Sequence, residues 1–482
     1  MFWRGVLGYL PVNLVQAIAG FGAIVAFTRL LSPADYGAYA LALSVTSLVH
    51  TCLFTWVEAA MARFYAAEPD ETGRAALFAT VYRSFALMAL ALPVAAGLIL
   101  VLLPVSSGLK VAIGAGLASI VARSLLKVAQ ERRRAAGEVR GFATLDMLQT
   151  GGGFLLGALF AVLGLGAAAP LAGAGAASAA LLIWALPSEI TRARSGAFDR
   201  MRLVRYAAYG LPLSLSLVMS LALSTTDRFV IAAFLDQAAV GAYHAGYSLS
   251  NRTLDVMFLW LGMAGQPACI AALERGGPEA LRRTANDQAS LMLLVALPAA
   301  AGVALVAQPL AQLMVGPGLA TAAGRVTPWI AASAFFAGMT THYLNTAFTL
   351  ARRTRRLFVV IALPAAANLV LTLVLIPRFG LDGAMWATTG SFAFGAVVSY
   401  VLGRGDMALP IPWTALFRCG LATAAMAAAV MQIPAYGGVL ELMLKAGVGA
   451  VVYALVAFAL DAAGVRGQAL RLLRTRRLEL AT

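Results

Sequence analysis

Apolar runs of about 20 residues, each ended by a short polar or Gly/Pro-bearing break, recur along the whole chain. A run of that length crosses about 30 Å of hydrocarbon as an α-helix. Fourteen spans can be read: Gly5–Thr28, Gly37–Met61, Phe78–Leu103, Val111–Gln130, Phe142–Leu165, Leu171–Ile190, Tyr206–Leu235, Ala238–Leu261 or longer, Ala289–Val315, Val326–Leu350, Leu357–Ile376, Leu381–Leu402, Trp413–Ile433 and Val439–Leu460. The polar/apolar alternation of a membrane β-barrel is missing. The pattern therefore predicts an all-α polytopic membrane protein.

The first break organises the rest. Thr28–Ser44 reads TRLLSPADYGAYALALS. Pro33 blocks helix continuation and starts a turn, Asp35 keeps that turn in water, and Gly37 lets the backbone restart. Phe234–Ser250 reads FLDQAAVGAYHAGYSLS. Leu31, Gly37, Ala38, Tyr39 and Ser44 fall on Leu235, Gly241, Ala242, Tyr243 and Ser248 at one offset, 241 − 37 = 204. Both copies lie between two long apolar runs, so one hairpin is expected to occur twice. Two similar membrane halves are a transporter architecture. The expected divisions are 1–200 and 201–405, two six-helix bundles related by pseudo-symmetry, and 406–482, a helix pair with a basic tail.

Composition supports the membrane reading. The chain is 61% hydrophobic and 12% charged, about half the charge of a soluble domain. Its net charge is +15. The basic residues form short clusters between spans, which points to topology and anionic membrane lipids rather than to nucleic acid. With the N-terminus in the cytoplasm, about 28 of the 36 Lys and Arg fall on cytoplasmic segments. These include a loop with Arg132, Arg133 and Arg134, a linker from Arg192 to Arg205, the cluster Arg352–Arg356 and the tail Arg466–Arg477. Arg29, Lys110, Arg325 and Arg378 fall outside, and Arg123, Arg228, Arg252 and Lys445 within spans. A miscounted span would scramble this asymmetry, so both termini are expected in the cytoplasm. Arg4 precedes a run of full spanning length without a cleavage site, so the first span is expected to be retained.

A charge at mid-membrane costs at least about 2.5 kcal/mol, so each one needs a reason. Glu58 and Arg63 lie near the cytoplasmic end of the second span, where snorkelling to the surface is an alternative to function. Arg83 reads as snorkelling. Arg123, Lys127 and Glu131 share one helix face; Arg123 is the deepest, and function or structural pairing are both open for it. Asp227 and Arg228 are adjacent on the seventh span and point about 100° apart. Asp227 is expected toward a cavity, with His244 level with it on the eighth span. Arg252 and Asp255 share a face, as a polar line through a water-filled path or as an internal salt bridge. Asn251, Asn13 and Gln16 are candidates to join that line. His50 and His342 read as core residues, and Trp3, Trp56, Trp260, Trp329 and Trp413 as an interfacial belt. Cys52, Cys269 and Cys419 lack metal spacing and read as packing residues. The glycine run Gly151–Gly153 lies inside a span and reads as close helix contact. No nucleotide-binding loop, HExxH, nucleophile elbow or CxxC occurs, so no enzyme activity is expected.

At TRLLSPADYGAYALALS the sequence resembles the bacterial polysaccharide flippases, translocases of O-antigen and exopolysaccharide units. They belong to the multidrug/oligosaccharidyl-lipid/polysaccharide exporter superfamily. TDRFVIAAFLDQAAVGAYHAGYSLS (Thr226–Ser250) resembles their second-half counterpart, including the Asp-Arg pair, and GLDGAMWATTGS (Gly380–Ser391) the Gly-rich start of their twelfth span. The resemblance runs over most of the chain. It implies two bundles around a cavity that opens alternately to either side of the bacterial inner membrane. It also implies an oligosaccharide on undecaprenyl pyrophosphate as substrate. A polysaccharide polymerase and glycosyltransferases are candidate partners. The diphosphate needs cations along its route; Arg252, Arg228, Arg123 and Arg63 are the candidates. No cofactor is implied beyond a coupling ion, H+ or Na+, for which Asp227, Asp255, Glu58 and His244 are the candidates. A cation-coupled drug antiporter of the same superfamily is the alternative. The related lipid II flippases carry an Arg-Asp pair in the first span, whereas Gly5–Phe27 here holds no charge, which argues against that subfamily.

Overall fold

The computed structural model describes residues 2–68, 70–102, 105–351 and 353–467. Arg352, the tail beyond residue 467 and the side chains of Trp3 and Arg4 lie outside the described residues. All regular elements among the described residues are helical. In hydrocarbon, a helix satisfies its backbone groups without a partner segment.

The chain forms two compact units, Met1–His244 and Ala245–Thr482. The first contains α1 (Phe2–Leu30), α2 (Pro33–Leu53), α3 (Thr55–Phe64), α4 (Glu71–Leu102), α5 (Ser107–Ala135), α6 (Val139–Val162), α7 (Ala169–Arg194) and α8 (Arg200–Phe234). It ends in the first turns of α9 (Gln237–Leu305). Ser32 caps α2: its side chain accepts from the Asp35 N–H at 3.1 Å, and Pro33 occupies the first turn, where a missing N–H costs nothing. Asp199 caps α8 in the same way through the N–H groups of Met201 and Arg202. On α4, Leu87, Leu90, Val94, Leu98 and Val101 are exposed at steps of three and four residues, the face a membrane helix turns to lipid. Between α6 and α7 small residues bring the helices together. A Cβ on Gly173 of α7 would stand 2.2 Å from the Gly157 nitrogen of α6, and one on Gly153 would stand 3.2 Å from Ala174 Cα. The glycine run is thus helix packing, as its position suggested.

The second unit continues α9 and adds α10 (Ala307–Met314), α11 (Pro317–Met339), α12 (Thr346–Leu350), α13 (Thr354–Phe379), α14 (Leu381–Arg404), α15 (Trp413–Met431) and α16 (Gly438–Ala459). Gly380 turns the chain between α13 and α14 at φ 59°, a conformation that favours glycine. Arg325 of α11 pairs with Asp382 beside it at 3.0 Å. A π-helical turn, Thr340–Leu344, separates α11 from α12.

Twelve helices among the described residues are long and apolar enough to span a membrane. The count differs from the fourteen read in the sequence at identifiable places. α9 is one 69-residue element, interrupted at Gly277 where φ is 68°, and it takes in the expected eighth span and most of the ninth. The expected tenth span falls on α11 and α12, outside the twelve. Two further expectations need correction. The second span is broken at Phe54 into α2 and α3. Arg132, Arg133 and Arg134 are not loop residues but the last turn of α5, where cations suit the helix dipole.

Candidate functional site

In the first unit α2, α3, α5 and α8 border two hollows. One, of 350 Å³, has Thr46, Ser47 and His50 of α2, Arg123 and Lys127 of α5, and Gln149 of α6 on its wall. The other, of 390 Å³, is lined by Glu58 and Arg63 of α3, Glu131 and Arg134 of α5, and Tyr209 of α8. On α5 the wall residues 123, 127, 131 and 134 step by three or four, so they form one face of one helix. That face was legible in the sequence; along it Arg123 and Lys127 border the first hollow and Glu131 and Arg134 the second.

The charges on this wall do not cancel. Its cations are Arg63, Arg123, Lys127 and Arg134; its acids are Glu58 and Glu131. Both acids are engaged. Glu58 Oε1 lies 2.9 Å from His50 Nε2. Glu131 takes Lys127 at 3.5 Å and also Arg134. Among the described residues no hydrogen bond or ion pair reaches Arg63 or Arg123. His50 is therefore not the core histidine expected: its side chain is 31% exposed and borders the hollow. His342 does pack as expected, its ring stacked on Phe258 at 6.2 Å.

Asp227, Arg228 and His244 are placed differently from Arg63 and Arg123. Asp227 is fully buried and accepts a hydrogen bond from the Tyr243 hydroxyl. Arg228 is 6% exposed and donates to Ser44 Oγ at 3.1 Å. The His244 ring lies 5.6 Å from Tyr36 and 6.2 Å from Tyr39. None of the three lines either hollow. The backbones here approach too closely for water. A Cβ on Gly37 would stand 1.7 Å from the Gln237 carbonyl oxygen, and one on Gly241 would stand 2.7 Å from the Pro33 carbonyl oxygen. In the second unit Arg252 and Asp255 are exposed on α9 without an ion pair between them. Asp255 instead accepts from the Asn251 amide, so the internal salt bridge is not formed.

Sequence reasoning missed a buried cluster next to this wall. Glu189 of α7 is fully buried and holds Arg132 at 3.2 Å, Arg133 at 3.4 Å and the Tyr82 hydroxyl of α4 at 3.2 Å. Arg132 also reaches Glu138. The signal was a carboxylate near the end of the sixth span, opposite a triple arginine. Two further hydrogen-bonded links were missed as well. Gln16 of α1, singled out only as a possible member of a polar line, donates to Asp146 of α6 at 2.8 Å. Gln130, Gln149 and Ser178 form a chain through α5, α6 and α7 at 2.8 and 3.0 Å.

With this geometry in view, known proteins locate the chain. A family profile for polysaccharide biosynthesis proteins matches residues 26–320. The chain belongs to that family. Its fold is similar to that of a lipid II flippase, MurJ, in an inward closed conformation: TM-score 0.76 at 13% identity, covering 95% of this chain and 99% of that one. It is also similar to an inward-facing multidrug-resistance MATE family transporter of the MOP superfamily: TM-score 0.64 at 15% identity, 83% of this chain and 98% of that one. A MOP superfamily transporter from Pyrococcus furiosus gives a TM-score of 0.55 at 16% identity, 83% of this chain and 95% of that one. No curated protein matches the sequence. The likeness to MurJ is one of fold, and the uncharged first span remains a difference from the lipid II flippase pattern.

Proposed function

We propose that this protein moves undecaprenyl-pyrophosphate-linked oligosaccharide units across the bacterial inner membrane by alternating access, for surface polysaccharide synthesis. It does so as a transporter rather than an enzyme, with fourteen crossings in two six-helix bundles and a terminal pair, and with both termini cytoplasmic. The observation that carries this reading is the pair Arg63 and Arg123. Each borders one of the two hollows, whose two acids are already engaged. Unpaired guanidinium groups in a membrane protein suit a strongly anionic ligand, and a diphosphate accepts bidentate hydrogen bonds from them. The fold and the family support the same class. H+ or Na+ is the coupling ion; of the candidate acids, Glu58 borders a hollow and Asp255 is exposed on α9.

The test is reconstitution in liposomes with a lipid-linked oligosaccharide whose glycan is exposed to an impermeant glycosidase. Translocation makes glycan on the inner leaflet accessible. Absence of protein-dependent translocation, together with extrusion of a cationic dye, would favour the drug-antiporter alternative, to which the MATE-like fold also lends support.

Arg252→Ala is expected to abolish surface polysaccharide in cells while membrane insertion stays normal. Its guanidinium is exposed on α9 and, among the described residues, forms no salt bridge. Retained export, measured against immunoblotted protein in the membrane fraction, removes Arg252 from the headgroup route. Reporter fusions after Arg134, Arg194 and Arg404 are expected to be active only as cytoplasmic reporters. A periplasmic signal at any of them breaks the fourteen-span topology.

A further inference from the structure

The hollow that carries Arg123 and Lys127 has a second kind of wall. Thr46 and Thr51 of α2 and Gln149 of α6 bring neutral polar atoms to it, and Ile120 and Leu221 bring hydrocarbon. The other hollow is lined by Glu58, Arg63, Glu131 and Arg134, so charge dominates there. A few fixed polar groups set among apolar ones orient a ligand that has both characters. A pyranose is such a ligand, with hydroxyls around its edge and C–H groups on its faces.

What these polar atoms offer is decided by the bonds behind them. The Thr46 hydroxyl donates to the Ala42 carbonyl at 2.6 Å, and the Thr51 hydroxyl to the Ser47 carbonyl at 2.8 Å. A hydroxyl has a single hydrogen, so both threonines keep only acceptor lone pairs for a ligand. Gln149 is held from two sides. Its Nε2 donates to Ser178 Oγ at 3.0 Å, and its Oε1 accepts from Gln130 Nε2 at 2.8 Å. Ser178 donates in turn to the Ala174 carbonyl at 2.8 Å. A carbonyl can only accept, so the chain runs in one direction and gives the Gln149 amide one orientation. Both anchors, Gln130 and Ser178, are fully buried. An amide has two N–H groups and two oxygen lone pairs. Beyond its anchoring bonds Gln149 keeps one of each, on a half-buried side chain at the wall of the hollow. A donor and an acceptor side by side match two neighbouring sugar hydroxyls, each of which can donate and accept.

We propose that Gln149 reads the sugar joined to the diphosphate, a neutral pyranose with neighbouring hydroxyls, and that Gln130 and Ser178 are its positioning residues. The inference rests on the translocase reading. Arg123 borders the same hollow, so a diphosphate held there brings the sugar attached to it within reach of α6. The arginines bind the anion, which every such lipid shares. The amide discriminates between glycans, because a site built to bond a hydroxyl rejects a ligand that lacks it.

The test is a ratio of two affinities of the full-length protein in detergent. Undecaprenyl diphosphate and undecaprenyl diphosphate glucose each compete with a fluorescent undecaprenyl diphosphate, and the galactose form repeats the second arm. Wild type is expected to hold at least one of the sugar lipids about tenfold more tightly than the bare lipid, the size of two neutral hydrogen bonds. Gln149→Met is expected to abolish that preference. Ser178→Ala is expected to reduce it about threefold, because the amide can then turn over. Arg123→Ala is expected to weaken both lipids and keep the preference. A wild type without preference, or a preference kept in full by Gln149→Met, overturns the sugar site and leaves the translocase reading standing. If Gln149→Met binds neither lipid, Ser178→Ala decides: a reduced preference upholds the site, and an unchanged one overturns it. A wild type that binds neither lipid removes the translocase reading, and the sugar site with it.

Discussion

Replacing Arg63 and Arg123 together by alanine is expected to slow glycan translocation about a hundredfold or more, with normal insertion and an unchanged melting profile in detergent. A hydrogen bond to a charged group is worth about 1.5–3 kcal/mol, and about 1.4 kcal/mol is a factor of ten. Two such contacts made along the route of one diphosphate therefore carry at least two decades. Each single variant is expected to lose about tenfold. Arg123→Lys is expected to recover part of the loss, because it keeps the charge and gives up the fork geometry. Raising salt is expected to mimic the loss only weakly, since charges inside a cavity are poorly screened. The liposome glycosidase assay measures all four. Wild-type rates in the double variant would remove the cation wall from the mechanism. The stability arm matters as much: neither arginine has a hydrogen bond or ion pair to lose, so a large drop in melting temperature would show that they serve the fold instead.

The second large effect concerns Glu189. Glu189→Ala leaves Arg132, 3% exposed, and Arg133, 8% exposed, facing each other without the carboxylate between them. Removing one partner of a buried ion pair costs about 3–5 kcal/mol. The variant is expected to lose that stability in a denaturant titration in detergent. Glu189→Gln is expected to lose less, because an amide oxygen still accepts from Arg132 or Tyr82. Glu279→Ala, which breaks a pair exposed by more than 80% on both sides, is expected to change nothing measurable. Equal midpoints for Glu189→Ala and wild type would mean that water has replaced the carboxylate. The cluster binds α4, α7 and the last turn of α5, the helix whose adjoining face carries Arg123, Lys127 and Arg134. A loosened Glu189 variant is therefore expected to translocate slowly as well.

The helical architecture was legible because hydrocarbon imposes one rule on every span, and length and apolarity expose it. The exceptions lie where that rule is silent. Gly277 sits in a polar stretch between apolar runs, so apolarity could not show that helix resumes directly across its break. Arg132–Arg134 have the composition of a loop, and the distant Glu189 that holds Arg132 and Arg133 is not visible from their local sequence. For the site, the i, i+3, i+4 spacing on α5 placed Arg123, Lys127 and Glu131 on one wall without further help. His50 was misjudged because its partner Glu58 lies eight residues away, across the break at Phe54. An unbroken helix would separate them by about 12 Å along its axis. Asp227, Arg228 and His244 were noticed for the right reason, being polar at depth. Their burial depends on what packs against them from distant parts of the chain, and periodicity carries no information about that.

The close approach at Gly37 has a consequence for how the chain can vary. A Cβ there would meet the Gln237 carbonyl oxygen at 1.7 Å, and one on Gly241 the Pro33 carbonyl oxygen at 2.7 Å. Backbone cannot swing aside as a side chain can, so neither position admits a larger residue unless both helix starts shift. The two glycines thus constrain substitution as a pair, although 204 residues of chain separate them.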